Sequence, residues 1–210
     1  RCVCARRLIV IENGNSEELI SRLVEMAKTV KVGEYTQQPQ PFMGPVINKR
    51  AARHILDRQK GLVKQGGKPL LECANINGKA MLSPGIIDVS AIGNREDGEI
   101  FGPLLQLIRV ESLEEAIQEA NRTDYGLAAG ILSDSRDSYE KLYCQSRCGV
   151  VNWNRPTTGA SSKGPFGGIG KSGNFHPSAY FAADYCSYPV ATIETEHCKL
   201  PDQIAPGITL

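Results

Sequence analysis

Leu104-Leu105-Gln106-Leu107-Ile108-Arg109-Val110, followed after one residue by Ser112-Leu113-Glu114-Glu115, decides the fold of this chain. The first run has strand length, is mostly apolar and ends on a β-branched residue, which predicts a buried strand. The second is a capping box, in which a serine hydroxyl and a glutamate three residues on satisfy the free amides of a helix start. Leu113, Ala116, Ile117 and Ala120 continue it as a helical stripe. A strand feeding an amphipathic helix implies a crossover, and the alternation repeats downstream. Gly126 to Leu132 reads as a strand, Ser135 to Arg147 as a helix stopped at Gly149, and Gly149 to Trp153 as another strand. The expected class is α/β: an open, largely parallel sheet with helices on both faces.

Upstream, Arg7 to Val10 is strand-like. Asn15-Ser16-Glu17-Glu18 reads as a capped helix start, with Leu19, Ile20, Leu23, Val24, Ala27 and Val30 at helical spacing and a stop before Gly33. Gln37-Gln38-Pro39-Gln40-Pro41 is an extended connection. A second helix begins near Asn48, buries Ala51, Ile55 and Leu62, and ends before Gly66-Gly67. His54, between Arg53 and Asp57, reads as a surface residue of that helix. Pro69 to Cys73 and Ala80 to Val89 are strand-like runs separated by the turn Asn75-Ile76-Asn77-Gly78. Downstream of Trp153, Asn154 to Gly164 is a polar loop long enough to carry function. A short helix near Ala179 to Tyr185 precedes Pro189-Val190-Ala191-Thr192-Ile193-Glu194, a strand with no partner in the alternating pattern, and a polar tail.

The 210 residues can bury one core, and a net charge of +1 with dispersed lysines and arginines provides no footprint for nucleic acid or an anionic membrane. No apolar run approaches the ~20 residues that span a bilayer, so a soluble, cytoplasmic chain is expected. The seven cysteines, at 2, 4, 73, 144, 148, 186 and 198, include no C-x-x-C pair and fit a reduced setting better than a disulfide framework. Cys144 and Cys148 are spaced to share a helix face, but no histidine lies near them in sequence, and no metal site is assigned.

Chemistry concentrates on the turn before the first strand quoted above. Gly98-Glu99-Ile100-Phe101-Gly102-Pro103 places a carboxylate and an aromatic ring on one sharp bend. Taken with Arg1-Cys2-Val3-Cys4-Ala5-Arg6-Arg7, Met43-Gly44-Pro45-Val46-Ile47, Tyr125-Gly126-Leu127-Ala128-Ala129-Gly130 and Pro165-Phe166-Gly167-Gly168-Ile169-Gly170-Lys171-Ser172-Gly173, all collinear, the chain resembles the aldehyde dehydrogenase superfamily. The resemblance implies that Cys2 is the nucleophile. It also implies that Glu99 holds the ribose beside the nicotinamide of NAD and that Phe101 packs near the ring. A carboxylate accepts both ribose hydroxyls, and an aromatic wall limits how far the ring can move. The glycines near Phe166 shape the site and do not form a dinucleotide fingerprint.

The family's NAD-binding domain, its water-activating glutamate and its oxyanion asparagine all precede the cysteine. The chain, which opens on Arg1, is therefore expected to be the C-terminal part of a longer enzyme. Residues 1–187 would form a catalytic domain truncated at its N-terminus, and 188–210 an oligomerisation strand and tail. The expected partners are its own missing N-terminal domain and further copies of itself.

Within the superfamily, Asn152 to Ser162 and Gly173 to Tyr180 are similar to the branch that oxidises N-succinylglutamate 5-semialdehyde in bacterial arginine breakdown. Arg155 offers a carboxylate-matching fork, and Thr157, Thr158, Ser161 and Ser162 add hydroxyl donors, which suits an anionic aldehyde. Two alternatives stay open: an aldehyde dehydrogenase for another semialdehyde, or a fragment acting only as a structural and oligomerisation module.

Overall fold

The computed structural model describes residues 1–201, 203 and 205–208. In chain order its elements are β1 (Arg7–Ile11), α1 (Ser16–Lys28), α2 (Lys49–Lys64), β2 (Lys68–Leu71), β3 (Asn75–Ile76), β4 (Met81–Leu82), β5 (Gly85–Asp88) and β6 (Leu104–Val110). Then follow α3 (Leu113–Asn121), β7 (Ala128–Ile131), α4 (Arg136–Gln145), β8 (Val150–Trp153), β9 (Pro165–Phe166), β10 (Ser178–Ala179) and α5 (Ala182–Tyr185).

Four strands form the main sheet in the order β1-β6-β5-β2. β6 lies parallel to β1 on one side and to β5 on the other, and β2 closes the far edge antiparallel. Because side chains alternate along a strand, β6 sends Leu104, Ile108 and Val110 to one face and Leu105 and Leu107 to the other. The first face is covered by α2 through Ala52, Ile55 and Leu62; the second is covered by α1 through Ile20, Leu23, Val24 and Ala27. β1 and β5 contribute to both layers, with Ile9 and Ile87 on the α2 side and Val10 and Ile86 on the α1 side. The predicted architecture, α/β with helices on both faces of a largely parallel sheet, is what the chain adopts. Each fully buried leucine or isoleucine contributes about 1.5 to 3 kcal/mol. Ile87 and Leu107, at 0% exposure, therefore sit where stability is concentrated.

Three of the four long helices start on side-chain caps. Asn48 accepts from the amide of Ala51 at 2.8 Å, Ser112 from Glu115 at 3.2 Å and Ser135 from Ser138 at 3.2 Å. Glu115 completes its box one residue early, accepting from the amide of Glu111 at 2.9 Å. α1 departs from expectation. Asn15 makes no side-chain cap, and the buried Ser16 hydroxyl instead accepts from the amide of Asn13 at 2.7 Å, tying the β1–α1 turn together. In α2 the buried alanine is Ala52 rather than Ala51, a one-residue shift of the apolar stripe. α4 ends at Gln145, so Cys148 lies beyond the helix and shares no face with Cys144.

β7 and β8 pair parallel with α4 as the crossover, but they form a sheet of their own. A cleft of about 1550 Å³ separates them from the main sheet, lined by β1 on one side and β7 on the other, with Ala116 and Ile117 of α3 between. Neither β1 nor β7 has a second strand partner among the described residues. Alternating elements predict neighbours in sequence well; whether neighbouring units join into one ladder depends on what fills the space between them.

The strand expected over Pro189 to Glu194 has no pairing in this chain, and Val190 and Ile193 are exposed. A strand exists only against a partner, and none lies beside this segment among the described residues. The expected tail also includes Asp202, Ile204, Thr209 and Leu210, which lie outside the described residues.

Candidate active site

Cys2 sits in the turn that precedes β1, its thiol exposed to the cleft. Two ties hold the turn, one local and one long-range. Arg6 donates from Nη2 to the carbonyl of Arg1 at 3.0 Å, and the Thr157 hydroxyl donates to the carbonyl of Val3 at 2.7 Å. The Cys2 turn is thus fastened to the edge of the main sheet at one end and to the loop after β8 at the other.

Arg6 also reaches the second chemical element. Its Nε donates to Oε1 of Glu99 at 3.2 Å, and its guanidinium lies 4.6 Å from the ring centroid of Phe101. Arg6 is 17% exposed and Glu99 32%, so the pair is half-sheltered. The turn carrying Glu99 and Phe101 rests on α2. A Cβ at Gly102 would collide with the side chain of Ile55, so only glycine allows this approach. From the other direction Asp97 accepts from the Thr123 hydroxyl and from the Asp124 amide, both at 2.7 Å, which locks the turn to the segment between α3 and β7.

The start of β1 is anchored just as firmly. Arg7 donates to the carbonyls of Glu119 at 2.8 Å and Ala120 at 2.9 Å, where α3 ends, and Glu119 also pairs with Arg95. Burial pulls the Arg7 guanidinium below its ordinary pKa, while the carboxylates of Glu119 and Asp97 resist that shift. Burial pushes the thiol of the half-buried Cys148 up, and pushes that of the buried Cys73 up to about 11.

Of the residues singled out in the sequence, Cys2, Glu99, Arg155, Thr157 and Thr158 line a single cleft. Arg155 is exposed and makes no ion pair among the described residues. Phe101, 54% exposed, stands behind Arg6. Ser161 and Ser162 are not brought to the cleft. They lie on the exposed loop beyond it, where the Ser161 hydroxyl accepts from the Lys163 amide at 3.1 Å. The Thr157 hydroxyl proton is given to Val3, so this residue ties down the Cys2 turn in addition to facing the cleft. The glycine-rich motif shapes its surroundings as expected: Gly167 packs against Gly149 so closely that a Cβ on Gly149 would strike the Gly167 carbonyl. His54 and His176 are exposed. Among the described residues no three His, Cys, Asp or Glu side chains are grouped to hold a metal.

Sequence reasoning missed Arg6 and the positioning role of Thr157. The signal for Arg6 was present as a charged pair, Arg6-Arg7, at the mouth of an otherwise apolar strand. Charge there needs a partner, and the Glu99 turn is the carboxylate that meets it.

A thiol, a half-sheltered carboxylate and an aromatic ring held by one arginine at the end of a parallel sheet agree with what comparison of the whole chain finds. The profile of the aldehyde dehydrogenase family matches residues 1–188. The chain belongs to the aldehyde dehydrogenase family. A family relative from Chromobacterium violaceum, an N-succinylglutamate 5-semialdehyde dehydrogenase, is 53% identical over all of this chain, which spans 43% of that protein. Aldehyde dehydrogenase 21 from Physcomitrella patens, solved with the reaction product succinate, superposes at a TM-score of 0.77 with 31% identity, over 85% of this chain and 37% of its own. A glyceraldehyde-3-phosphate dehydrogenase from Methanocaldococcus jannaschii, solved with NADP, does so at 0.77 with 27% identity, over 87% of this chain and 39% of its own. The chain thus spans less than half the length of each of these family members.

Proposed function

We propose that this chain is the catalytic-domain part of a cytoplasmic, NAD-dependent aldehyde dehydrogenase that oxidises N-succinylglutamate 5-semialdehyde to N-succinylglutamate. The observation that carries the reading is that Cys2, Glu99 and Arg155 line one cleft. The likeness to the Chromobacterium relative supports the choice of substrate.

The Cys2 thiolate adds to the aldehyde carbon and gives a thiohemiacetal on sulfur. A nicotinamide held by Glu99 and Phe101 would supply the hydride acceptor, and loss of that hydride would leave a thioester on Cys2. Water then cleaves the thioester and releases the acid and the thiol. The residues present fit the cofactor. Among the described residues only Arg6 reaches the Glu99 carboxylate, through one oxygen, so the group has acceptor capacity left for ribose hydroxyls. Phe101 carries Arg6 on its ring, and its exposed area can face the nicotinamide. Arg155, which makes no ion pair among the described residues, would read a carboxylate of the substrate tail in this scheme.

The cleft between β1 and β7 fits a partner as well. Two unpaired strand edges facing each other across an apolar space suit uptake of an additional segment, and the enzyme's own N-terminal part is the occupant we assign. The exposed Val190 and Ile193 suit pairing with another copy of the chain in a homo-oligomer. The seven free cysteines favour a reducing cytoplasm.

The test uses the complete enzyme. Iodoacetamide should label Cys2 before the other thiols, with loss of aldehyde oxidation tracking that label, and Cys2→Ser should lower kcat by at least about a thousandfold. Inactivation that follows labelling of another cysteine removes Cys2 from its role. A higher kcat/KM on succinate or glutamate semialdehyde moves the substrate assignment while leaving the chemistry in place.

A further inference from the structure

We infer that Arg6 is a positioning residue that couples the cofactor-holding turn to the nucleophile turn, so that the placement of Glu99 and of Cys2 is set jointly. This rests on the functional reading above. It deepens that reading by assigning a residue that neither the motifs nor the thiol chemistry identifies.

Three contacts converge on one guanidinium. Nε holds Oε1 of Glu99 at 3.2 Å, Nη2 holds the carbonyl of Arg1 at 3.0 Å, and the cationic plane covers Phe101 at 4.6 Å from the ring centroid. The Arg1 carbonyl belongs to the peptide bond whose nitrogen is that of Cys2, so fixing it fixes the plane from which the thiol projects. A guanidinium is rigid and planar, with donors pointing in set directions. Nε cannot follow a movement of Glu99 without swinging Nη2 away from Arg1. Arg6 is only 17% exposed, and the strand behind it is pinned by Arg7, so it has little freedom to absorb such a movement in its own side chain. Thr157, the other tie on the turn, holds Val3 and touches neither Glu99 nor Phe101. The coupling therefore runs through Arg6 alone among these ties.

The coupling predicts behaviour that a merely structural arginine would not show. Glu99→Gln weakens the pair without touching the nucleophile turn, yet it should change the rate at which iodoacetamide alkylates Cys2, by about threefold or more, with no cofactor present. Arg6→Ala should change that rate at least as much and raise the Kd for NAD about tenfold, read by calorimetric titration. Combining the two should add less than about twofold to either effect, since both break one linkage. Arg6→Lys keeps a positive charge but loses the fork, so it should recover part of the NAD affinity and little of the alkylation rate. It also serves if Arg6→Ala does not fold.

All variants are made in the complete enzyme, with melting temperature as the check on folding. Cys2 alkylation that is indifferent to both Glu99→Gln and Arg6 substitution overturns the coupling, as do penalties that multiply in full. Failure of the wild-type enzyme to bind NAD sinks the functional reading instead; the response of Cys2 to Glu99→Gln is read without cofactor and judges the coupling separately.

Discussion

The main sheet and the β7–β8 unit with its loop are built to opposite standards. In the main sheet β5 and β6 bury apolar side chains toward helices on both faces, and the largest fully enclosed residues cluster there and in the turn and helix around it. In β7 and β8 no residue is fully buried, and the chain that follows is polar and, apart from the half-buried Thr157 and Thr158, exposed through Ser162. The candidate site residues stand on the border, with Cys2 and Glu99 on extensions of the first region and Arg155 and Thr157 on the second. The two cysteines at 2 and 73 carry the same contrast. One is open to the cleft, while the other lies under α2, its backbone held by Gln59 at 2.8 and 3.0 Å. Rigidity is invested where it supports chemistry, and exposure is kept where substrate must arrive.

The sharpest way to break this contrast is a cavity in the first region. Leu107→Ala should lower stability by about 2 to 5 kcal/mol in denaturant unfolding, because Leu107 is fully enclosed and its neighbours belong to a packed sheet. A loss below about 1 kcal/mol would show that the main sheet is not the stable half.

Next comes pH. The Cys73 thiol titrates near pH 9 when unfolded and about 11 when folded, so folding favours its neutral form. Its contribution is fully present below pH 9 and drains away as pH rises toward 11, by roughly 2 to 3 kcal/mol at about 1.4 kcal/mol per unit. Unfolding free energy followed from pH 8 to 11 should fall by that amount, and Cys73→Ala should flatten that part of the slope. An unchanged slope would remove the thiol from the account.

In the second region the expected changes are catalytic. Arg155→Ala in the complete enzyme should cut kcat/KM for the succinylated semialdehyde ten- to a hundredfold, from the loss of a charge-assisted hydrogen bond of about 1.5 to 3 kcal/mol. A short neutral aldehyde should lose much less, and equal losses would mean that Arg155 only holds its loop. Smallest of all, Thr157→Val removes one neutral bond of about 0.5 to 1.5 kcal/mol. It should alter Cys2 alkylation a few-fold while barely moving the melting temperature. A large drop in melting temperature would place Thr157 with the core.

Much of the first region was legible because its rules are local. The mostly apolar run from Leu104 to Val110 and the serine cap at Ser112 predict a strand and a helix without knowledge of anything distant, and both formed. Cys2 and Glu99 were singled out by motif, and both line one cleft. What stayed hidden depends on contacts far apart in the chain. The hydroxyl of Thr157 looked like a substrate donor because nothing near it in sequence announces Val3. Arg6 could not be given its partners before the Glu99 turn was folded against β1. The end of α4 was placed two residues late, which put Cys148 on a helix face it does not occupy. The gap between β1 and β7 was invisible, since crossover logic supplies an order of elements and not the width between them.

The bond from Thr157 to Val3 joins residues 154 positions apart, and that from Arg6 to Glu99 joins residues 93 apart. Closing such long loops costs entropy that only the finished sheet repays, so these ties form after the ladders they bridge. On refolding, circular dichroism should recover before the reactive thiol does. On gentle heating the order should reverse, with the alkylation rate of Cys2 changing before the circular dichroism of the sheet does.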